Sequence, residues 1–158
     1  MPDKDTITDE MRSFIGLKTD PKSYIVEKHS VEHFATAIGD QNKLYFDEEY
    51  AKEKVGGLLA PPTFIRKFKP NKLEKNFPDP FSNLVDGGSS YIFHKKIFVG
   101  DEITVVSFLK DLFIKNGSFG EMMFKISHTS YTNQHGVLVA EQEITTIIYG
   151  KGEKTFLS

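Results

Sequence analysis

A chain of 158 residues fits one domain and is long enough to bury a core. With 39% hydrophobic residues, 27% charged residues and a net charge of −2, it has a globular composition without the concentrated basic face that nucleic-acid phosphates require. Cysteine is absent, which excludes disulfides, thiolate nucleophiles and cysteine-ligated zinc. The polar, acidic N-terminal stretch has no apolar signal-peptide core, and no apolar run reaches bilayer length. A cytoplasmic protein with no membrane contact and no nucleic-acid partner is expected.

Residues 1–8 read as a flexible start to a single domain spanning 1–158. Residues 8–16 read as a short helix, with Thr8 as N-cap and Gly16 as the stop. Residues 23–29 read as a strand. Ser30 then caps a helix to Ile38, with Val31, Phe34, Ala35 and Ile38 on one face. Residues 47–54 carry acid at the start and base at the end, as the helix macrodipole favours, and Gly56-Gly57 ends that helix. Pro61-Pro62-Thr63 opens a further helix to Lys69, proline being tolerated in a first turn. Residues 70–88, with Pro70, Pro78, Pro80, Gly87 and Gly88, read as an irregular connection.

From Ser89 the texture changes. Residues 89–99, 101–115, 118–133 and 136–150 alternate as strands, with turns at Gly100-Asp101, Asn116-Gly117 and Asn133-Gln134-His135-Gly136. Helices followed by a long antiparallel meander give an α+β class. A sheet of that length needs one face covered, and the apolar pattern Phe64, Ile65, Phe68 supplies a cover.

Three segments carry a resemblance. They are Ile38-Gly39-Asp40-Gln41-Asn42-Lys43-Leu44-Tyr45, Gly56-Gly57-Leu58-Leu59-Ala60-Pro61-Pro62-Thr63-Phe64, and the stretch from Gly87 to Asp101. Together they resemble the MaoC-like, R-specific enoyl-thioester hydratases and 3-hydroxyacyl-thioester dehydratases. The likeness is closest to the His-less partner subunits of two-component dehydratases. The resemblance implies a hot-dog fold, a long antiparallel sheet wrapped around a central helix, and a hydro-lyase ancestry. It implies an acyl-thioester substrate, borne by CoA or an acyl-carrier protein, and no cofactor. It also implies a homodimer or a heterodimer with a catalytic MaoC-like subunit.

In that family an Asp, an Asn two residues on and a His five residues after the Asp form the signature. The matching positions here are Asp40, Asn42 and Tyr45, so the catalytic set is degenerate. A phenol titrates near pKa ~10 against ~6.5 for imidazole, which makes it a poor base at neutral pH. The family's oxyanion donor is a backbone N–H at the start of the central helix. Here that region reads Pro61-Pro62, and proline has no N–H. Thr63 is the first residue that can donate. Gly57, Phe64, Arg66 and Lys67 are the candidate substrate contacts.

Plainer roles fit the same residues. Asp40 and Asn42 suit turn capping, Tyr45 suits amphipathic packing, and Arg66, Lys67, Lys69, Lys72 and Lys75 suit a solvated face. His29, His33, His94, His128 and His135 show no metal-ligand spacing, so no metal is expected. A thioesterase reading is disfavoured because residues 64–71 carry no carboxylate.

Overall fold

Local chemistry sets the first elements. In the computed structural model, which describes residues 6–150, the Thr8 hydroxyl accepts from the Met11 N–H at 3.2 Å and starts helix α1, Asp9–Ser13. Thr6 and Ile7, read from sequence as part of a flexible start, are held. The Thr6 hydroxyl lies 2.9 Å from the Glu121 carboxylate, and Ile7 is buried. The rest of that expected segment, 1–5, lies outside the described residues.

Strand β1 is Lys22–Ile25. Helix α2, Lys28–Ala37, starts earlier than a Ser30 cap allows; Glu27 holds the cap position without a side-chain bond. Val31 is fully buried and its N–H bonds to Glu27 O at 3.0 Å, so core packing closes the turn ahead of Ser30. Helix α3, Glu48–Val55, opens with the Asp47 carboxylate accepting from Tyr50 N–H at 3.0 Å. It closes at Gly56 with φ of 94°, a left-handed position that glycine adopts freely.

The remaining strands are β2, Asn83–Phe93, β3, Glu102–Gly117, β4, Gly120–Thr132, and β5, Leu138–Tyr149. The irregular stretch expected to reach Gly88 is therefore shorter. Gly87-Gly88 form a bulge inside β2, where register shifts between Asp86 and Gly88 and the Asp86 carboxylate accepts from Gly88 N–H at 2.7 Å. A side chain at Gly87 would stand 2.8 Å from a Thr145 methyl, which is why the bulge takes glycine. Strand β2 also stops at Phe93, because Ile97–Val99 pair elsewhere: Ala60 N–H bonds to Ile97 O and Val99 N–H to Leu58 O, each at 2.9 Å. The β3–β4 turn falls at Ser118-Phe119, two residues past the expected Asn116-Gly117, since Gly117 still pairs with Gly120.

All pairings are antiparallel, and the order across the sheet is β1-β3-β4-β5-β2. The expected α-helix over 61–69 is a 3₁₀ helix, Pro62–Lys67. Two prolines remove the first amides, and Phe68 is already extended with φ −88° and ψ 98° ahead of Pro70, so no α-helical turn propagates. Phe64, Ile65 and Phe68 nevertheless pack inside the sheet against Val105, Tyr131 and Ala140. The curled sheet around this short helix is a hot-dog arrangement. Six 3₁₀ residues span about 12 Å, whereas the 16 residues of β3 span about 50 Å. A second apolar cluster, with Met11, Leu112, Met123 and Ile148, closes the far end of the sheet.

Candidate functional site

The turn after α2 is built by its own polar side chains. Asp40 N–H bonds to Ala35 O at 2.9 Å, and the Asp40 carboxylate accepts from Asn42 N–H at 3.0 Å. The Asn42 side-chain oxygen, Oδ1, accepts from Leu44 N–H at 3.0 Å and caps the 3₁₀ turn Lys43–Tyr45. These bonds aim Tyr45 inward, where it is 8% exposed and packs within the main core. Burial raises the Tyr45 phenol above its ordinary value, and the Asp40 carboxylate adds to the rise. The phenol is neutral at physiological pH.

Leu59 N–H bonds to Leu44 O at 2.9 Å, tying the Tyr45 turn to the strand-like segment ahead of the 3₁₀ helix. The two segments frame a cleft of about 500 Å³, lined by Tyr45, Leu59, Ala60, Pro62, Phe93, His94, Lys95, Lys96 and Ile97. Its floor is apolar and its rim cationic. Of the residues singled out from sequence, Tyr45 and Pro62 meet here. Asp40 reaches the cleft only through its field on Tyr45. Asn42 is exposed on the capping turn, and Gly57 packs near Phe98. Thr63 is exposed and carries the first amide after the prolines. Phe64 is 1% exposed, edge-on to Phe34 and Phe68, with the Lys67 ammonium 5.3 Å from its ring centre. Arg66 is exposed on the 3₁₀ helix, and its guanidinium pulls down the phenols of Tyr91 and Tyr131 against the upward effect of their burial.

From sequence, His94 and His128 both lie on candidate strands, where a histidine either faces the cavity or is structural, and His94 is the one that lines the cleft. Its Nε2 lies 2.7 Å from one Glu141 oxygen, and His128 Nε2 lies 2.9 Å from the other. The two imidazoles hold the Glu141 carboxyl below its ordinary value. No local motif announces this arrangement, because β5 brings Glu141 between β4 and the end of β2. Among the described residues no group of three or more His, Asp or Glu is arranged to hold a metal ion, and no helix is long and apolar enough to cross a membrane.

A family model described as FAS1-like, dehydratase domain region, matches residues 13–142. A UPF0336 protein of Parafrankia is 31% identical over 146 residues, covering 88% of this chain and 94% of that one. A UPF0336 protein of Saccharopolyspora erythraea is 28% identical over 149 residues, covering 90% and 93%. Among solved structures, the ChsH1-ChsH2 complex of Mycobacterium tuberculosis matches with a TM-score of 0.76 at 18% identity, over 92% of each chain. The C-terminally truncated HadBC (3R-hydroxyacyl-ACP dehydratase) complex of the same organism matches with 0.64 at 22%, over 85% of this chain and 96% of that one. The (R)-hydratase of A. caviae involved in PHA biosynthesis matches with 0.63 at 20%, over 84% and 94%. These structures share the hot-dog fold, and the chain belongs to the FAS1-like dehydratase-domain family.

Proposed function

We propose that this chain is a subunit of an R-specific 3-hydroxyacyl-thioester dehydratase, acting on CoA or acyl-carrier-protein thioesters of fatty-acyl metabolism, and that it shapes the acyl tunnel without supplying the base. Tyr45 carries this reading. In the sequence motif it takes the position of the family's imidazole, and it lines the cleft as a neutral buried phenol. Loss of a general base costs ~10²–10⁴ in rate. The Pro61-Pro62 pair removes two amides from the helix start, and loss of an oxyanion donor costs a further ~10²–10³. The cleft itself suits an acyl thioester, with an apolar floor for the chain and His94, Lys95 and Lys96 at the rim for pantetheine phosphates.

This reading seats the partner along the edge of β2, which pairs with no further strand among the described residues. The two fellow structures named above as complexes each join two different subunits, which supports a heteromeric assembly here. In this reading residues 1–158 act as one domain within that assembly. A second reading, a self-sufficient homodimeric hydratase, draws on one observation: the His94–Glu141 pair places an oriented imidazole at the cleft.

The deciding experiment mixes this chain with a His-bearing hot-dog dehydratase subunit and compares kcat/KM across acyl lengths, with elution of the mixture as the second readout. A hetero-oligomer with altered chain-length preference is expected, and the chain alone is expected to run near background. Identical kinetics with and without this chain, and no hetero-oligomer, refute the partner reading. Turnover by the chain alone that His94→Gln abolishes establishes the homodimeric one.

A further inference from the structure

The inner face of the sheet is apolar at both ends and polar across one row between them. In register across four strands lie Ser107, Thr129, Gln142 and Tyr91. Gln142 is 8% exposed, and beside it Tyr131 is 2% exposed. The Thr129 hydroxyl donates to Ser107 Oγ at 3.0 Å, and Ser107 donates to His128 O at 3.1 Å, so that half of the row closes on itself.

The other half does not close. The Tyr131 hydroxyl donates to Gln142 Oε1 at 2.9 Å, its one hydrogen-bond partner among the described residues. That bond fixes the amide orientation: turning Gln142 over would leave a buried hydroxyl proton with no acceptor. Gln142 Nε2 therefore faces Tyr91 Oη at 2.6 Å, with Ser89 Oγ at 3.4 Å. The Tyr91 oxygen accepts, so its own proton points away from Gln142. Among the described residues nothing accepts it. Burial raises the Tyr91 phenol, which keeps that proton in place at neutral pH despite Arg66. Arg66, exposed on the 3₁₀ helix, has no carboxylate partner among the described residues, and its charge acts on the phenols of Tyr91 and Tyr131. Tyr91 is half-buried and lies parallel to Phe93 at 5.7 Å between ring centres, and Phe93 lines the cleft. Tyr91 thus lies one ring beyond the cleft lining, and an acyl chain would reach it past Phe93.

We propose that Tyr91, oriented by Gln142 and Tyr131, reads an oxygen on the acyl group, so that this chain prefers acyl thioesters bearing a keto or carboxylate oxygen over plain alkyl thioesters of the same length. The inference rests on the acyl-thioester reading above and gives it a substrate class. A hydrocarbon chain lying here buries a hydroxyl donor without a partner, whereas an acceptor oxygen satisfies it. Tyr91 touches the ligand; Gln142 and Tyr131 are positioning residues.

The test is calorimetric titration of the chain, alone and mixed with the catalytic subunit. The probes are length-matched alkanoyl-, oxoalkanoyl- and ω-carboxyalkanoyl-CoA, taken over a series of lengths. At one length the oxygenated probe is expected to bind about three- to tenfold more tightly than its alkyl match, the range of one net hydrogen bond. Tyr91→Phe, which keeps the ring and its stack on Phe93, is expected to bring that ratio to about one with an unchanged far-UV spectrum. Gln142→Glu is expected to do the same, because a carboxylate at that position accepts from Tyr91 and turns its proton inward. The oxo and carboxy arms separate a neutral acceptor from an anionic one. A ratio of one in the wild type at every length overturns the inference while leaving thioester binding in place. So does a preference that survives Tyr91→Phe, including one that only Arg66→Gln removes. Absence of binding by every probe in both preparations overturns the thioester reading as well.

Discussion

Strand β2 offers the sharpest quantitative test of the assembly. It lies at one end of the strand order, so one side of its 11-residue backbone pairs with no other strand among the described residues. Leu84, Val85, Ile92 and Phe93 keep 66%, 45%, 59% and 42% of their surface exposed. Long apolar edge strands are liabilities that proteins cover. A fully buried apolar side chain contributes about 1.5–3 kcal/mol. Covering the exposed fractions of Leu84 and Ile92 alone thus contributes about 2–4 kcal/mol per protomer. Replacing both with lysine is expected to weaken association by about 30- to 700-fold. Both residues are more than half exposed in the monomer, so the fold should survive, with far-UV circular dichroism as the control. Sedimentation velocity over a concentration series, with the catalytic subunit and without it, measures the change. Association that is unaltered in Leu84→Lys/Ile92→Lys refutes β2 as the interface and the reasoning that places the partner there.

Three further outcomes are expected. Tyr45→His should raise hydratase activity of the isolated chain by less than the ~10²–10⁴ of a general base, since Pro61-Pro62 still lack amides; full family-level turnover from this single change contradicts the oxyanion argument. Tyr45, Tyr91 and Tyr131 all have raised phenols, so their contribution to stability is present below pH 10.0 and is lost as pH rises through the raised values; phenolate absorbance titrated alongside circular dichroism should show these ionisations arriving with unfolding, and free ionisation near pH 10.0 counts against their burial. Glu141 is depressed below 4.5, so the bridge from His94 to His128 stabilises above that pH and loses its effect as pH falls through the lowered value; Glu141→Gln should flatten this acid limb in thermal melts, and an unchanged acid limb removes the bridge's role.

Much of this molecule follows from short-range chemistry. Thr8 and Asp47 cap the helices that their side chains can reach, Gly56 ends α3 because the stop needs positive φ, and alternation in β3 to β5 announces strands that need one covered face. The family resemblance, too, was carried by contiguous residues around Asp40, Gly57 and Gly87. What lay beyond sequence reading depends on pairing between distant segments. Gly87-Gly88 looked like loop punctuation until β5 demanded a bulge there, and residues 97–99 left β2 because residues 58–60 bond to the Ile97 carbonyl and the Val99 amide. Pro61-Pro62 signalled a helix start, yet the pull of the core on Phe64 and Ile65 was met by a tight 3₁₀ segment, since prolines and an extended Phe68 left no room for α-helical bonds. Register likewise made the row through Gln142 and Tyr91, and the Glu141 bridge between two histidines. Side chains 47 and 51 positions apart, His94 with Glu141 and Tyr91 with Gln142, become neighbours only when strands align, and a linear pattern carries no information about which strand pairs with which.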